Sequence, residues 1–327
     1  VTAMTTSRDY WRQREEENLR RNLKTEAEYA REMNRIYTDA IDSIQKEIDA
    51  FYGRYATKEG ITIAEAKKRV SKLDIEAYSR KAEKYVREKN FSKQANAEMR
   101  IYNLTMKVNR LEMLKAQIGL ELVSSFDEID RMLGEKLTER ATEEFERQAG
   151  ILGESVGDVS RAAASIVGAS FHNATFSQRI WANQDVLKSE ISRLLQKGMI
   201  QGKHSDVLAR ELRKSFGTSR YESERLMRTE MARVQTQAQM QALDRYGIEE
   251  YEYMACPNGD ICAACRALDG KHFKTKDAMP GENAPPMHPN CHCATCAYLD
   301  EEKYSQWLDS YSDHGLSFRE WRGKNKK

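Results

Sequence analysis

Apolar side chains recur at Tyr37, Ile41, Ile44, Ile48, Phe51 and Tyr55, in steps of three and four through a segment otherwise rich in charge. That spacing lays a single stripe along one face and predicts an amphipathic helix, bracketed at its end by Gly53 and Gly60. A second helix opens at Thr62, which has the capping-box spacing with Glu65. A third carries Ile101, Leu104, Val108, Leu111, Leu114, Ile118 and Leu122, and runs on through residues 126–148 with a break near Gly134. No proline interrupts residues 1–150. Each stripe must be buried, and neighbouring stripes can bury one another as a helical hairpin or bundle. Residues 1–150 therefore read as an extended long-helix arm, a scaffold with no catalytic constellation. Packing within the chain is the favoured fate of each stripe, ahead of a stripe kept for a partner protein.

The pattern changes after Gly150. Gly150, Gly153, Gly157 and Gly168 punctuate residues 151–177, which read as a linker or boundary segment. A helix is expected from about Asn183, with Val186, Ile191, Leu194 and Leu195 inward, stopping near Gly198 and Gly202. A short helix follows, with Ser205 as its N-cap and Gly217 as its C-terminal glycine. A long one then runs from Ser219 to Gly247. Within it Arg225, Arg228, Glu230 and Arg233 lie close in register. Ion pairs of Arg228, Glu230 and Arg233 that dock this helix are the favoured reading, ahead of an anion or catalytic site. After Gly247, IEEYEYMA alternates as a β-strand does and leads into Cys256.

Totals refine this picture. A length of 327 residues suggests two domains, and 32% charged against 40% hydrophobic residues suits long solvated helices. A net charge of +2 points neither to a general nucleic-acid binder nor to an acidic partner. The least polar run, AAASIVGASF, has about half the length a bilayer requires, and the N-terminal residues lack a signal-peptide core. No membrane partner is expected, and the chain reads as one made in a reducing cytoplasm. In that compartment clustered cysteines bind metal more often than they form disulfides.

All six cysteines lie between Cys256 and Cys296, and all five prolines between Pro257 and Pro289. Cys262 and Cys265 form a C-x2-C pair; His288 and Cys291 form H-x2-C, with Cys293 two residues on. Two short knuckles of soft ligands suit a structural Zn2+. Prolines would stiffen the intervening loop while the metal pins its ends. The expected ligands are Cys262, Cys265, Cys291 and His288, with Cys293 as the alternative fourth and His292, Cys256 and Cys296 in reserve. Three rivals compete: disulfides, a thiol nucleophile with His272, His288 or His292 as base (a nuclease or transferase), and a zinc ribbon that binds DNA. The architecture expected is mainly α. An extended helical hairpin or bundle is followed by a small α+β domain, residues 178–298, with its Cys/His zinc-binding loop at 256–296, and residues 299–327 form a tail.

The string DICAACRALDGKHF, followed by PPMHPNCHC, is similar to the C-terminal signature of the phage Mu F-like head morphogenesis family, the minor head or minor capsid proteins of tailed bacteriophages. The resemblance extends to RLMRTEMARVQTQAQ, IEEYEYMA, IWANQDVLKSEI and LARELRKSFG. DYWRQREE and EIDAFYGRYATKEGITIAEAKK resemble members from phages of Gram-positive hosts, and residues 123–177 are the least diagnostic. His292 departs from the pattern, since the family more often has arginine there. The resemblance implies a non-enzymatic structural protein of the virion, placed inside the head near the portal in a few copies. It would act in head assembly or genome delivery, with the portal protein and the capsid or procapsid as partners; contact with packaged DNA stays an open alternative. Some relatives carry a toxin or ADP-ribosyltransferase domain after this module; the 31 residues after Cys296 lead to an expectation of the plain structural form.

Overall fold

The computed structural model describes residues 7–55, 110–151, 157–256, 261–299, 301–316 and 318–324, with isolated positions 80, 83, 87, 93 and 94. The expected helix from Thr62, and the Ile101–Val108 part of the third stripe, lie outside the described residues. Among the described residues five helices come first: α1 (Ser7–Tyr55), α2 (Arg110–Ile151), α3 (Ser160–Gly168), α4 (Phe176–Ile200) and α5 (Ser205–Arg245). The strands β1 (Glu250–Met254), β2 (His272–Lys274) and β3 (Ala294–Tyr298) follow, with the short helix α6 (Ala263–Leu268) after β1. Helices α7 (Glu301–His314) and α8 (Phe318–Lys324) complete the order. The fold is mainly α with a small sheet, as the periodicity and the strand-like run predict. No helix among the described residues is long and apolar enough to cross a membrane.

The residues gather into two compact units that cut across chain order. One takes Val1–Tyr29, Leu133–Phe176 and Arg225–Lys327; the other takes Ala30–Met132 and Ser177–Glu224. Helices α1, α2 and α5 therefore each contribute to both units.

The second unit is packed by the stripes that the sequence displays. On α1, Met33, Ile36, Tyr37, Ile44, Ile48 and Phe51 are buried. Tyr37 meets Phe126 and Phe216 edge-on, at centroid distances of 5.7 and 6.2 Å. Its hydroxyl lies 2.8 Å from Ser223 Oγ and 3.1 Å from the Ser219 carbonyl oxygen, so the polar tip is satisfied inside the core. Each large apolar side chain fully buried in this way contributes about 1.5–3 kcal/mol.

Several local expectations are corrected here. Helix α4 begins at Phe176, ahead of Asn183. Its buried face runs through Ile180, Gln184, Leu187, Ile191 and Leu195 in steps of four and three, which leaves Val186 58% exposed. Residues 205–245 form one helix rather than two, with Gly217 inside it. A mid-helix glycine costs only about 1 kcal/mol relative to alanine, and Phe216 and Ser219, buried on either side, hold the helix through it. Ser205 is the first helical residue; His204 caps the helix, its Nδ1 accepting from the Asp206 N–H at 3.4 Å. Helix α2 passes Gly134 without a break. Gly198 lies in close approach to buried Leu208, and a Cβ there would sit 2.4 Å from its Cδ2 unless that side chain shifted.

The first unit holds the sheet, whose order is β2-β1-β3 with both pairings antiparallel. Trp11, Leu243, Ile248, Tyr251, Met254, Cys296, Ala297, Leu299 and Trp307 form its main apolar cluster. The segment from residue 299, expected as a tail, contributes two helices; Trp307 is buried and its indole N–H donates to the Leu316 carbonyl at 3.0 Å. The glycine-punctuated segment also contains structure, since α3 buries Ala163, Ile166 and Val167.

Candidate metal centre

The two knuckles are built by ordinary local rules. Cys262 is the N-cap of α6, and its Sγ accepts the backbone N–H of Cys265 at 3.3 Å. That bond turns the C-x2-C pair so that both sulfurs serve one side of the loop. The second knuckle is a β-turn closed by Cys291 N–H donating to the His288 carbonyl at 3.1 Å. Pro289 and Asn290 are its central residues, and Asn290 has φ of 61°. Proline followed by a left-handed asparagine is the signature of a type II turn, which gives H-P-N-C a conformational reason.

Together the knuckles bring five side chains into two triads that share Cys265. Cys262, Cys265 and His288 form one, and Cys265, Cys291 and Cys293 the other, with ligand atoms in each triad within 4.8 Å of one another. Nε2 of His288 lies 3.5 Å from Sγ of Cys265. Zn–S bonds of about 2.3 Å imply S···S edges of about 3.8 Å in a tetrahedral site, so a shift of roughly 1 Å suffices to close either set on an ion. Donor chemistry and spacing both fit: the cluster can hold a metal ion.

The electrostatics of the thiols are uneven. The Cys265 amide, chiefly, lowers the Cys262 thiol. The neighbouring Cys293 thiol, which donates to Cys291, holds Cys291 down at about 5 and is itself pushed up by the same contact. Burial raises Cys265 to about 11. The Pro289 carbonyl, accepting from the ring, raises His288. Cys262 and Cys291 are thus the sulfurs most ready to act as thiolates.

The remaining candidates lie elsewhere. Cys296 is buried on β3 opposite Glu252 and belongs to the apolar cluster. Cys256 packs at the edge of the sulfur cluster without joining either triad. His292 points away from the triads, its Nδ1 3.9 Å from the Glu26 carboxylate, and burial lowers its imidazole. His272, considered as a base, sits on β2 with Nε2 3.4 Å from Glu252, stacked on Tyr298 at 3.7 Å.

The same unit also buries charge. Arg233 and Glu230 pair at 2.7 Å with no exposure of the guanidinium, and Arg233 Nη1 also donates to the Ile166 carbonyl at 2.9 Å. It thereby satisfies the C-terminal end of α3. Arg228, the third residue of the expected ion-pair group, acts electrostatically on Glu26 and His292. Around Glu15, Arg147 donates to both carboxylate oxygens at 2.8 and 2.9 Å and to Glu144 at 2.6 Å, while Gln239 donates to Glu15 and to the Thr295 carbonyl. Burial pushes the Glu15 carboxyl up to about 7, against the pull of Arg147.

Sequence reasoning missed Glu252. It is fully buried on the central strand and accepts from Arg8 at 2.7 and 3.0 Å and from Arg12. Burial pushes its carboxyl up, but the two guanidinium groups outweigh this and leave it below the ordinary range. The only sequence signal was the i, i+4 spacing of Arg8 and Arg12, which names no partner.

Residues 189–296 match the family model described as Phage Mu protein F like protein. The matched stretch runs from within α4 to β3 and contains every member of both triads. No curated protein and no solved structure gives a significant match to the chain.

Proposed function

We propose that this chain is a structural head protein of a tailed phage, associated with the portal, whose Cys/His window is pinned by one Zn2+ ion. The observation that carries the reading is the Mu F-like match over residues 189–296, the stretch that also contains the paired sulfur knuckles. Cys262, Cys265, His288 and Cys291 would hold the ion, with Cys293 the alternative to His288 as fourth ligand. The metal would supply cross-linking between two loops that bury few apolar side chains of their own. Long helices carrying buried stripes and charged outer faces suit docking on a large assembled partner. Its site would be inside the head near the portal, in a few copies, with a role in head assembly or genome delivery.

The test is assembly. The chain is co-expressed with the portal and major capsid proteins of a tailed phage that carries it, and procapsids are sedimented. The expected result is its recovery with portal-containing particles in a few copies per head. Particles that assemble, package DNA and infect without it would overturn the reading.

A further inference from the structure

The hydroxyl of Tyr253 is buried and makes no hydrogen bond of ordinary geometry. Among the described residues, its neighbours of polar character there are the sulfurs of Cys265 and Cys293, which share its cluster. It cannot readily turn elsewhere. Tyr253 is on the central strand; its N–H donates to the Lys271 carbonyl and its own carbonyl accepts from the Gly270 N–H, both at 2.9 Å. Native cores rarely leave a buried hydroxyl unpaired, because the lost hydration is not recovered. A protonated thiol is a weak acceptor, whereas a metal-bound thiolate carries charge and accepts well.

We propose that Tyr253 is a positioning residue of the metal centre, its O–H donating to the metal-bound thiolate of Cys265, the sulfur common to both triads. This rests on the metal reading given above. The consequence is a contribution of opposite sign in two states. Without metal the buried hydroxyl has only weakly accepting thiols beside it and burdens the fold. With metal it orients a ligand and disperses its charge, as outer partners of metal ligands do.

Tyr253→Phe separates these effects. Zinc affinity is measured on the full chain by competition with a chromophoric chelator, and the metal-free forms are melted alongside. The expected result is a loss of zinc affinity of about 10–100-fold, with the metal-free variant melting at least as high as wild type. In Co2+-loaded protein the sulfur-to-metal charge-transfer band should move to lower energy when the donor is lost. Equal zinc affinity in variant and wild type overturns the role of Tyr253 while leaving the metal reading intact. Wild type that takes up no zinc overturns the metal reading itself, and this inference with it.

Discussion

The two compact units hold together by different means. The Ala30–Met132 and Ser177–Glu224 unit buries side chains such as Tyr37, Ile44, Phe126, Leu195 and Phe216 along helical stripes, with a small satisfied polar cluster at the Tyr37 hydroxyl. The unit that contains the sheet buries Arg233, Glu230, Glu15 and Glu252 as well as apolar groups, and its loops converge on sulfurs. Burial of apolar area is forgiving, since its energy scales with surface and not with direction. Buried charge and metal ligation are directional, so each works only when the partners are in place. The contrast teaches that the helical unit should tolerate substitution by degrees, whereas the sheet unit should fail at single positions.

Replacing Arg233 with methionine sharpens this contrast most. It strands buried Glu230 and frees the carbonyl end of α3, and should cost about 3–5 kcal/mol in denaturant unfolding. A loss under 1 kcal/mol would show that the pair is dispensable. Phe126→Ala in the helical unit should cost about 3–4 kcal/mol through the cavity it leaves, and by the same amount with or without a chelator. A chelator-dependent cost would break the distinction between the units.

Glu15 links stability to pH. Its folded-state value of about 7 lies above the ordinary 4.5, so its contribution is fully present below pH 4.5 and is lost as pH rises through about 7. That loss is at most roughly 3 kcal/mol, and Glu15→Gln should flatten the decline between pH 5 and 8. Glu252 acts in the opposite sense: its depressed carboxyl stabilises above the unfolded value, and the contribution disappears as acid protonates it in the folded state. An unchanged pH slope in Glu15→Gln would remove Glu15 from the account. The smallest effect is expected at Gly198. Alanine gains about 1 kcal/mol of helix propensity, but its Cβ meets Leu208, and overpacking costs about 1–3 kcal/mol. A net loss of about 1 kcal/mol should appear as a small fall in melting temperature; a more stable variant would mean that Leu208 moves aside.

What was legible in the sequence follows the same division. The α1 stripe, the β1 strand and the pairing of C-x2-C with H-x2-C are local patterns, and local rules read them. The turn at Pro289–Asn290 is local as well. Gly134 and Gly217 misled because tertiary packing holds a helix through a glycine that propensity alone would treat as an end. Val186 misled because a one-residue error in phase turns a side chain by 100° on a helix. The burial of Glu252 was not legible at all: its charge alternates with tyrosines as an exposed residue would, and its partners Arg8 and Arg12 lie 244 and 240 residues away. Directional contacts between distant segments leave no periodic trace, and the sheet unit is built largely from them.

The central claim, that a metal ion pins the two knuckles, is tested most directly by elemental analysis of the full chain after zinc loading and exhaustive dialysis into zinc-free buffer. The account predicts about one zinc per chain in wild type and none in Cys265→Ser, which removes the sulfur shared by both triads. Wild type that retains no zinc, or Cys265→Ser that retains as much as wild type, would contradict it.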